Sequence, residues 1–157
     1  MIDRFQQFST AVSGIYRYIQ KIERMEMERY GLKGPHAQCL IVMGGYPQGI
    51  TAVQLTEICD RDKAAISRIV SELEQEGMVV RECRNGTVYR ARLKLTEKGQ
   101  EAARRVSELA SLAVQQAGKG LNDAQRQIFY DSLNLIAANL HDISSQGITK
   151  FNQEESL

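Results

Sequence analysis

The sequence lacks any apolar run that approaches the roughly 20 consecutive residues needed to cross a membrane. It also lacks a strong excess of charge of either sign, because 20 basic residues face 19 acidic ones, for a formal net charge of +1 over 157 residues. The overall charge therefore does not indicate a nucleic-acid partner. Any argument for nucleic-acid binding must come from where the charges lie in the sequence. The first residues form an amphipathic pattern that differs from a signal peptide. We expect one globular domain, residues 1–157, in the cytoplasm.

Cysteine is scarce, and the sequence shows no combination of residues that is typical of a catalytic site. Cys39, Cys59 and Cys83 are an odd number, and their spacing matches neither a zinc site nor a disulfide framework. His36 and Cys39 share a helical face, but the only other histidine is His141, and zinc usually needs more ligands. There is no Ser/His/Asp set, no pair of acids in an apolar setting and no glycine-rich phosphate loop. We therefore expect reduced thiols, no metal, no cofactor and no enzymatic activity.

The most informative stretch that is present is an amphipathic helix over residues 62–77. Its apolar residues recur at the i, i+3, i+4, i+7 spacing of one buried helix face. They are Ile66, Ile69, Val70 and Leu73. Asp62 predicts the N-cap of this helix, and Gly77 predicts a residue of positive φ after its last turn. The opposite face carries only small, cationic or hydrogen-bonding side chains, so it can lie close against a polar partner.

A second short helix comes directly before this one. Thr51 and Gln54 have the spacing of a capping box, which predicts a helix that starts at residue 51 and runs to about residue 59. Asp60 and Arg61 then form a tight turn, in which Asp60 can adopt the left-handed conformation. Two short helices joined so closely predict a helix-turn-helix.

After Gly77 the periodicity changes to that of a β-ribbon. Residues 78–82 are β-prone, Asn85-Gly86 is a strong hairpin signal, and residues 89–95 alternate apolar with basic side chains. Five basic residues and the single acid Glu82 lie between residues 81 and 94. Helix, turn, helix and hairpin follow the order of a winged helix-turn-helix. We predict a mainly α fold with a small β-hairpin wing, the winged helix-turn-helix covering residues 35–95.

In that architecture the second helix enters the major groove of double-stranded DNA, and the wing reaches the backbone or the minor groove. The predicted base-contacting residues of the recognition helix are Lys63, Ala64, Ala65, Ser67, Arg68 and Ser71. The predicted wing contacts are Arg81, Arg84, Asn85, Arg90 and Arg92. Contacts between cations and phosphates should make binding weaken steeply with salt. A solvated helix face and the exposed face of a half-buried hairpin give the same local patterns, so they stay open as alternatives.

Long helices on either side of this segment predict a homodimer. Residues 3–30 and 97–145 carry apolar seams at helical spacing, and a helix this long in so small a protein more often packs against a second subunit. The predicted dimer contacts are Phe5, Phe8, Val12, Ile15, Phe129, Leu133, Ile136 and Leu140.

Several motifs together resemble one family over nearly the whole chain. They are Leu55-Thr56-Glu57, Ile66-Ser67-Arg68-Ile69-Val70 and, above all, Leu95-Thr96-Glu97-Lys98-Gly99. These motifs are similar to those of the MarR (multiple antibiotic resistance regulator) family of bacterial transcription factors. The resemblance implies an obligate dimer with interlocked first and last helices, bound to a palindromic operator. It also implies a regulator, more often a repressor, that a small ligand or an oxidant controls.

The chain departs from the family pattern at two places. Members commonly have an acidic residue followed by arginines on the wing, where this chain has Thr87-Val88-Tyr89, and Asp60-Arg61 stands where a glycine and an apolar residue are more usual. The arginine that enters the groove is therefore Arg84, Arg90 or Arg92.

The resemblance also suggests a pocket for an aromatic or phenolic effector between the dimer helices and the winged segment. The candidate lining residues are Tyr16, His36, Cys39, Met43 and Tyr46, and an ordinary core explains the same spacing. Buried structural thiols are the interpretation of Cys39 and Cys59. Cys83 lies beside arginines that favour a reactive thiolate. The peroxide-sensing branch of the family has its reactive cysteine in the first helix, and residues 3–30 contain none.

Two other functions remain open at this point. One is a winged-helix module that binds proteins and has lost DNA binding, which the altered wing allows. The other is a regulator that senses oxidants through a thiol.

Overall fold

The computed structural model describes residues 3–83 and 91–147, apart from the side chain of Phe5. Its helices are α1 (Arg4–Met27), α2 (Gly34–Gly44), α3 (Ala52–Cys59), α4 (Lys63–Gln75), α5 (Glu97–Ala117) and α6 (Asp123–Gln146). Its strands are β1 (Ile50–Thr51), β2 (Val79–Glu82) and β3 (Arg92–Leu95), and a short 3-10 turn, Glu28–Tyr30, follows α1. The chain divides into two compact units, Met1–Ser111 and Leu112–Leu157. The predicted mainly helical winged fold is confirmed.

The ribbon predicted after the helix is present as the paired strands β2 and β3, and a strand that the sequence did not predict, β1, extends it to a three-stranded antiparallel sheet in the order β1-β3-β2. Ile50 pairs with Leu93 on one side of β3, and Val79 pairs with Leu95 on the other. Strand β1 has only two residues and leads straight into a capped helix, so it is too short to show the alternation that marks a strand in a sequence. Ile50 is fully buried, which explains why this short segment is held against the sheet.

The core of the first unit lies among α2, α3, α4 and the sheet. Large side chains from all of these elements are completely or almost completely buried, and each contributes about 1.5–3 kcal/mol by leaving water. Among them are Leu40, Ile50, Leu55, Ile66, Leu73, Met78 and Leu93. The end of α1 joins this core through Met27, and α1 packs along α2.

The predicted helix starts and turns are confirmed by local contacts. Thr51 accepts a hydrogen bond from the backbone N–H of Gln54 at 3.2 Å, and the Gln54 side chain accepts one from the Thr51 N–H at 3.1 Å. Asp62 Oδ1 accepts from the Ala65 N–H at 2.8 Å. Asp60 has the left-handed φ of 48°, which carries the chain from α3 into α4 over two residues.

The second unit contains α6, which Asn122 caps as the sequence predicts. Asn122 and Gln125 form a reciprocal capping box, with both hydrogen bonds at 2.9 Å. The apolar face of α6 is not buried in the single chain. Phe129, Leu133, Ile136 and Leu140 are between 37% and 50% exposed. No helix in the described part of the chain is long and apolar enough to cross a membrane.

Candidate nucleic-acid interface

The polar face of α4 is open to solvent along its first two turns. Lys63, Ala64, Ser67 and Arg68 are exposed, and Ala65 and Ser71 are partly exposed. Within the residues that the structure describes, no ion pair engages Lys63 or Arg68. These two cations are therefore available to an anionic partner or to acceptor atoms on base edges.

The opposite face of α4 is packed into the core, so the helix has a fixed rotation about its axis. Ile66, Ile69, Val70 and Leu73 are at most 6% exposed. Helix α3 packs against α4, and Leu55 of α3 is fully buried. Because the buried stripe cannot turn outward without losing this packing, the polar stripe must face solvent.

The C-terminal end of α4 is held by the start of α5. The Thr96 hydroxyl donates to the Gly77 carbonyl at 2.7 Å, and the Thr96 N–H donates to the Met78 carbonyl at 2.9 Å. Lys98 Nζ donates to the Glu76 carbonyl at 2.7 Å. At Gly99 a Cβ atom would lie 2.0 Å from the Met78 carbonyl oxygen, so only glycine allows this approach. The motif 95–99 thus fixes the position at which α4 ends.

A buried histidine connects α4 to α2. His36 is 2% exposed, and its Nε2 lies 2.7 Å from Glu72 Oε2 on α4. Its Nδ1 lies 3.2 Å from the Lys33 nitrogen and 2.9 Å from the Lys33 carbonyl oxygen, at the start of α2. The sequence analysis names His36 as a candidate lining residue of an effector pocket. In the structure, His36 instead contacts Glu72 and so joins α2 to α4 within the winged segment.

The described basic residues of the sheet are engaged within the chain. Arg81 donates two hydrogen bonds to Glu74 at 2.8 and 3.2 Å, and Lys94 lies 2.8 Å from Glu82. Arg92 donates to the Gly49 carbonyl at 3.2 Å. The positive charge expected from residues 81–94 is therefore partly offset. The predicted contacts Arg84, Asn85 and Arg90 lie outside the described residues.

The sequence analysis did not predict the contacts of Glu74 with Arg81 and of Glu72 with His36. Glu74 is seven residues from Arg81, across the turn between α4 and β2, and no helical or strand spacing links the two. Glu72 and His36 are farther apart still. Neither pair leaves a signal in a single sequence.

A cavity of about 430 Å³ lies between the end of α2 and the first part of α5. Its lining includes Ile41, Met43, Tyr46, Leu95, Ala103 and Arg104. Of the predicted effector residues, it brings together only Met43 and Tyr46. His36 and Cys39 are buried elsewhere in the core, and Tyr16 is 57% exposed on α1.

The predicted dimer residues of α1 that the structure describes are exposed in the single chain. Phe8, Val12 and Ile15 are 39%, 42% and 53% exposed. Large exposed apolar patches are uncommon on monomeric proteins, so these residues remain candidates for the predicted dimer interface.

Two of the three thiols are in contact. Cys39 Sγ on α2 lies 3.8 Å from Cys59 Sγ on α3, and both residues are buried, whereas Cys83 is exposed. The shared S–H···S hydrogen bond raises the pKa of Cys39 and lowers the pKa of Cys59, an effect that the Arg61 charge supports at Cys59. Among the residues described, no group of three His, Cys, Asp or Glu side chains is arranged to hold a metal ion.

The fold and the exposed, rotationally fixed α4 define a winged helix-turn-helix protein. Residues 30–90 match the sequence model of the MarR family. This match covers the winged segment, which is therefore similar to that of MarR-family transcription regulators. No curated protein matches the chain in sequence.

Solved structures share the fold over most of the chain. A MarR transcriptional regulator from Methanosarcina mazei Go1 is 26% identical, with a TM-score of 0.76, over 91% of this chain and 94% of that one. A MarR-family regulator from Listeria monocytogenes, solved in complex with a 26mer DNA, is 23% identical, with a TM-score of 0.77, over 94% and 97%. The S. aureus MepR–DNA complex is 14% identical, with a TM-score of 0.76, over 84% and 97%.

Proposed function

We propose that the protein is a sequence-specific DNA-binding transcription regulator that acts as a homodimer on a palindromic operator. The observation that carries this proposal is the exposed polar face of α4, where Lys63, Ser67 and Arg68 lie beside small side chains. Small side chains allow the helix backbone to approach the floor of the major groove, while the exposed cations can donate to guanine O6 and N7.

The homodimer follows from the apolar faces that a single chain leaves in water. Phe8, Val12 and Ile15 on α1 and the face of α6 at Phe129 and Leu133 are all more than one third exposed. Burying such surface is favourable by about 25 cal/mol per Å². A second copy of the chain covers these faces and brings a second α4, and two-fold symmetry of the protein then requires two-fold symmetry of the DNA site.

Similarity in fold supports the DNA partner. The Listeria monocytogenes regulator and S. aureus MepR have been solved with DNA, and both share this fold. Repression, and release by a small aromatic or phenolic effector, rest on the resemblance to the family. The cavity of about 430 Å³ beside Met43 and Tyr46 is large enough for such a molecule. The division into dimer helices 3–30 and 97–145 and a winged segment 35–95 belongs to the same proposal.

One observation favours a second candidate, a winged-helix module that binds a protein. Arg81 and Lys94 are neutralised by Glu74 and Glu82, so the described part of the sheet offers phosphates less charge than its sequence implies. In that case the exposed face of α4 contacts a protein surface, and no DNA sequence is selected.

Selection of bound sequences from random double-stranded DNA tests the proposal. We expect enrichment of a palindrome whose half-sites are about 10 base pairs apart, one helical turn. An Arg68→Ala variant should enrich a different or degenerate motif, whereas Gln75→Ala, an exposed change at the end of the same helix, should enrich the original one. Enrichment of no sequence by the folded protein would contradict DNA binding and favour the protein-binding module.

A further inference from the structure

His36 on α2 contacts an acidic side chain that lies one helical turn from Arg68 on α4. Its Nε2 atom is 2.7 Å from Glu72 Oε2, and the His36 side chain is 2% exposed, whereas that of Glu72 is 34% exposed. The two atoms are close, although they lack the alignment of an ideal hydrogen bond. Because His36 is shielded from water, no solvent molecule can easily replace Glu72, and losing this partner is costly for the imidazole.

Glu72 has a second potential partner on its own helix. It lies four residues after Arg68, and side chains at this spacing are neighbours on a helix surface. The positions three and four residues from Arg68 in either direction are residues 64, 65, 71 and 72, and only residue 72 is acidic. Within α4, the Glu72 carboxylate is therefore the acid best placed to pair with the Arg68 guanidinium.

The structure shows Glu72 paired with His36 and not with Arg68. Arg68 is exposed, and no ion pair joins it to an acid in the part of the chain that the structure describes. The imidazole is itself held at the start of α2, since its Nδ1 lies 2.9 Å from the Lys33 carbonyl oxygen and 3.2 Å from the Lys33 nitrogen. These contacts fix the ring, so the carboxylate is drawn toward α2 and not along α4 toward Arg68.

We propose that His36 is a positioning residue for DNA recognition, which holds the Glu72 carboxylate against α2 and so keeps the Arg68 guanidinium available to base edges. The inference rests on the DNA-binding function proposed above. Without the imidazole, Glu72 turns along α4 and pairs with Arg68. The guanidinium then has to leave an ion pair before it can donate to a base, so the protein discriminates less between bases at that position.

The experiment measures discrimination, which is the ratio of the Kd values for the selected operator and for an operator changed at the base pair whose selection depends on Arg68. A ratio is needed because removing an acid near DNA changes the affinity for every sequence. His36→Leu keeps a buried apolar side chain and removes the nitrogen that faces Glu72. Its discrimination should fall by about twofold, which corresponds to the strength of an ion pair at this helical spacing.

Glu72→Gln separates positioning from a general effect on the fold. Added to His36→Leu, it removes the carboxylate that competes for Arg68, and the discrimination of the unaltered chain should return. On its own it should leave discrimination unchanged, because His36 already holds the carboxylate away from Arg68. His36→Gln is the matched control, since its amide can place a nitrogen donor close to the position of Nε2, and it should keep the discrimination.

NMR spectroscopy tests the same competition in the protein without DNA. In the His36→Leu background, Glu72→Gln should shift the signal of the Arg68 Nε–H group, because an ion pair is lost. In the unaltered background, the same substitution should leave that signal in place.

Three results would overturn the proposal. The first is a folded His36→Leu protein that discriminates as the unaltered chain does. The second is a loss that Glu72→Gln does not restore, which would reduce the role of His36 to stability. The third is a rise in discrimination from Glu72→Gln alone, since the carboxylate would then already compete for Arg68. If His36→Leu does not fold, the third result and the NMR signal in the unaltered background still decide. A protein that selects no DNA sequence would contradict the proposed function, whereas the NMR comparison tests the pairing independently.

Discussion

Arg81 on β2 and Glu74 on α4 form a two-bond ion pair, with N···O distances of 2.8 and 3.2 Å. The pair connects the wing strand to the end of α4, the proposed recognition helix. Arg81 is one of the cations expected to attract phosphates, and in this pair its charge is offset by Glu74. Because both side chains are about one third exposed, the pair is worth little for stability, and its main effect is on the net charge of this surface.

Replacing Glu74 with Gln should strengthen DNA binding without regard to sequence. The change releases the Arg81 guanidinium and removes one negative charge from the interface. We expect the slope of log K against log salt to steepen by about 0.9 for one added phosphate contact. Fluorescence anisotropy of labelled DNA at several salt concentrations measures this slope.

Glu101→Gln is the matched control for this change. It also removes one acidic partner of an arginine, Arg104, but on α5 and outside the winged segment. The slope should stay unchanged in this variant. If both variants change the salt slope equally, the effect comes from net charge alone, and release of Arg81 adds no phosphate contact.

Substitutions on α4 and on the sheet should have different effects. Arg68→Ala should cost about 1–3 kcal/mol of discrimination at one base pair of each half-site, whereas Arg92→Ala should weaken binding to all sequences and flatten the salt slope by about 1. Competition binding with operator variants measures both, and a thermal melt shows whether loss of the Arg92 contact to Gly49 has affected the fold. Equal losses on every sequence from both variants would contradict this division of roles.

A charge placed in either apolar seam should separate the dimer. Ile15→Glu on α1 and Leu133→Glu on α6 replace side chains that are 53% and 41% exposed in the single chain, so each subunit should remain folded. Burying an unpaired carboxylate at the interface is strongly unfavourable. Analytical ultracentrifugation should show monomers for both variants. Ile128→Glu is the control, because Ile128 is 66% exposed on α6 but lies outside the predicted seam, and a monomer there would argue against this interface.

Gly99→Ala should destabilise the winged segment. The added Cβ would lie 2.0 Å from the Met78 carbonyl oxygen, so α5 or the turn after α4 must move. Such overpacking costs about 1–3 kcal/mol or more in free energy of unfolding. Denaturant unfolding measures the cost. Gly34→Ala is the control, since its Cβ would meet nothing nearer than 3.5 Å, and a similar loss there would show that the close approach at Gly99 is not the cause.

The features that the sequence predicted correctly depend on neighbours within four residues. The caps at Thr51, Asp62 and Asn122 are contacts between a side chain and a backbone N–H three residues later. The buried stripe of α4 follows from the helical period, and the left-handed turn at Asp60 needs only a short polar side chain. These features are encoded locally, so a single sequence is enough to find them.

The features that the sequence did not predict join residues whose separation carries no periodic signal. The pairs Glu74–Arg81, His36–Glu72 and Cys39–Cys59 exist only because α2, α3, α4 and the sheet share one core. Strand β1 is defined by its partner Leu93 and not by its own two residues. Which side chains meet across a core depends on how the helices and strands pack. The same apolar pattern is compatible with many packings, so the sequence does not predict these contacts.

The sequence by itself determined a winged helix-turn-helix with an outward polar face on residues 62–77, because periodicity and capping act within one element. Tertiary structure decided which charges of the winged segment are paired. Within the described residues it left Lys63 and Arg68 without an ion-pair partner, paired Arg81 and Lys94 with acids, and brought Cys39 to 3.8 Å from Cys59. The physical reason is that charge and thiol chemistry depend on distances between elements, and only the packed core sets those distances.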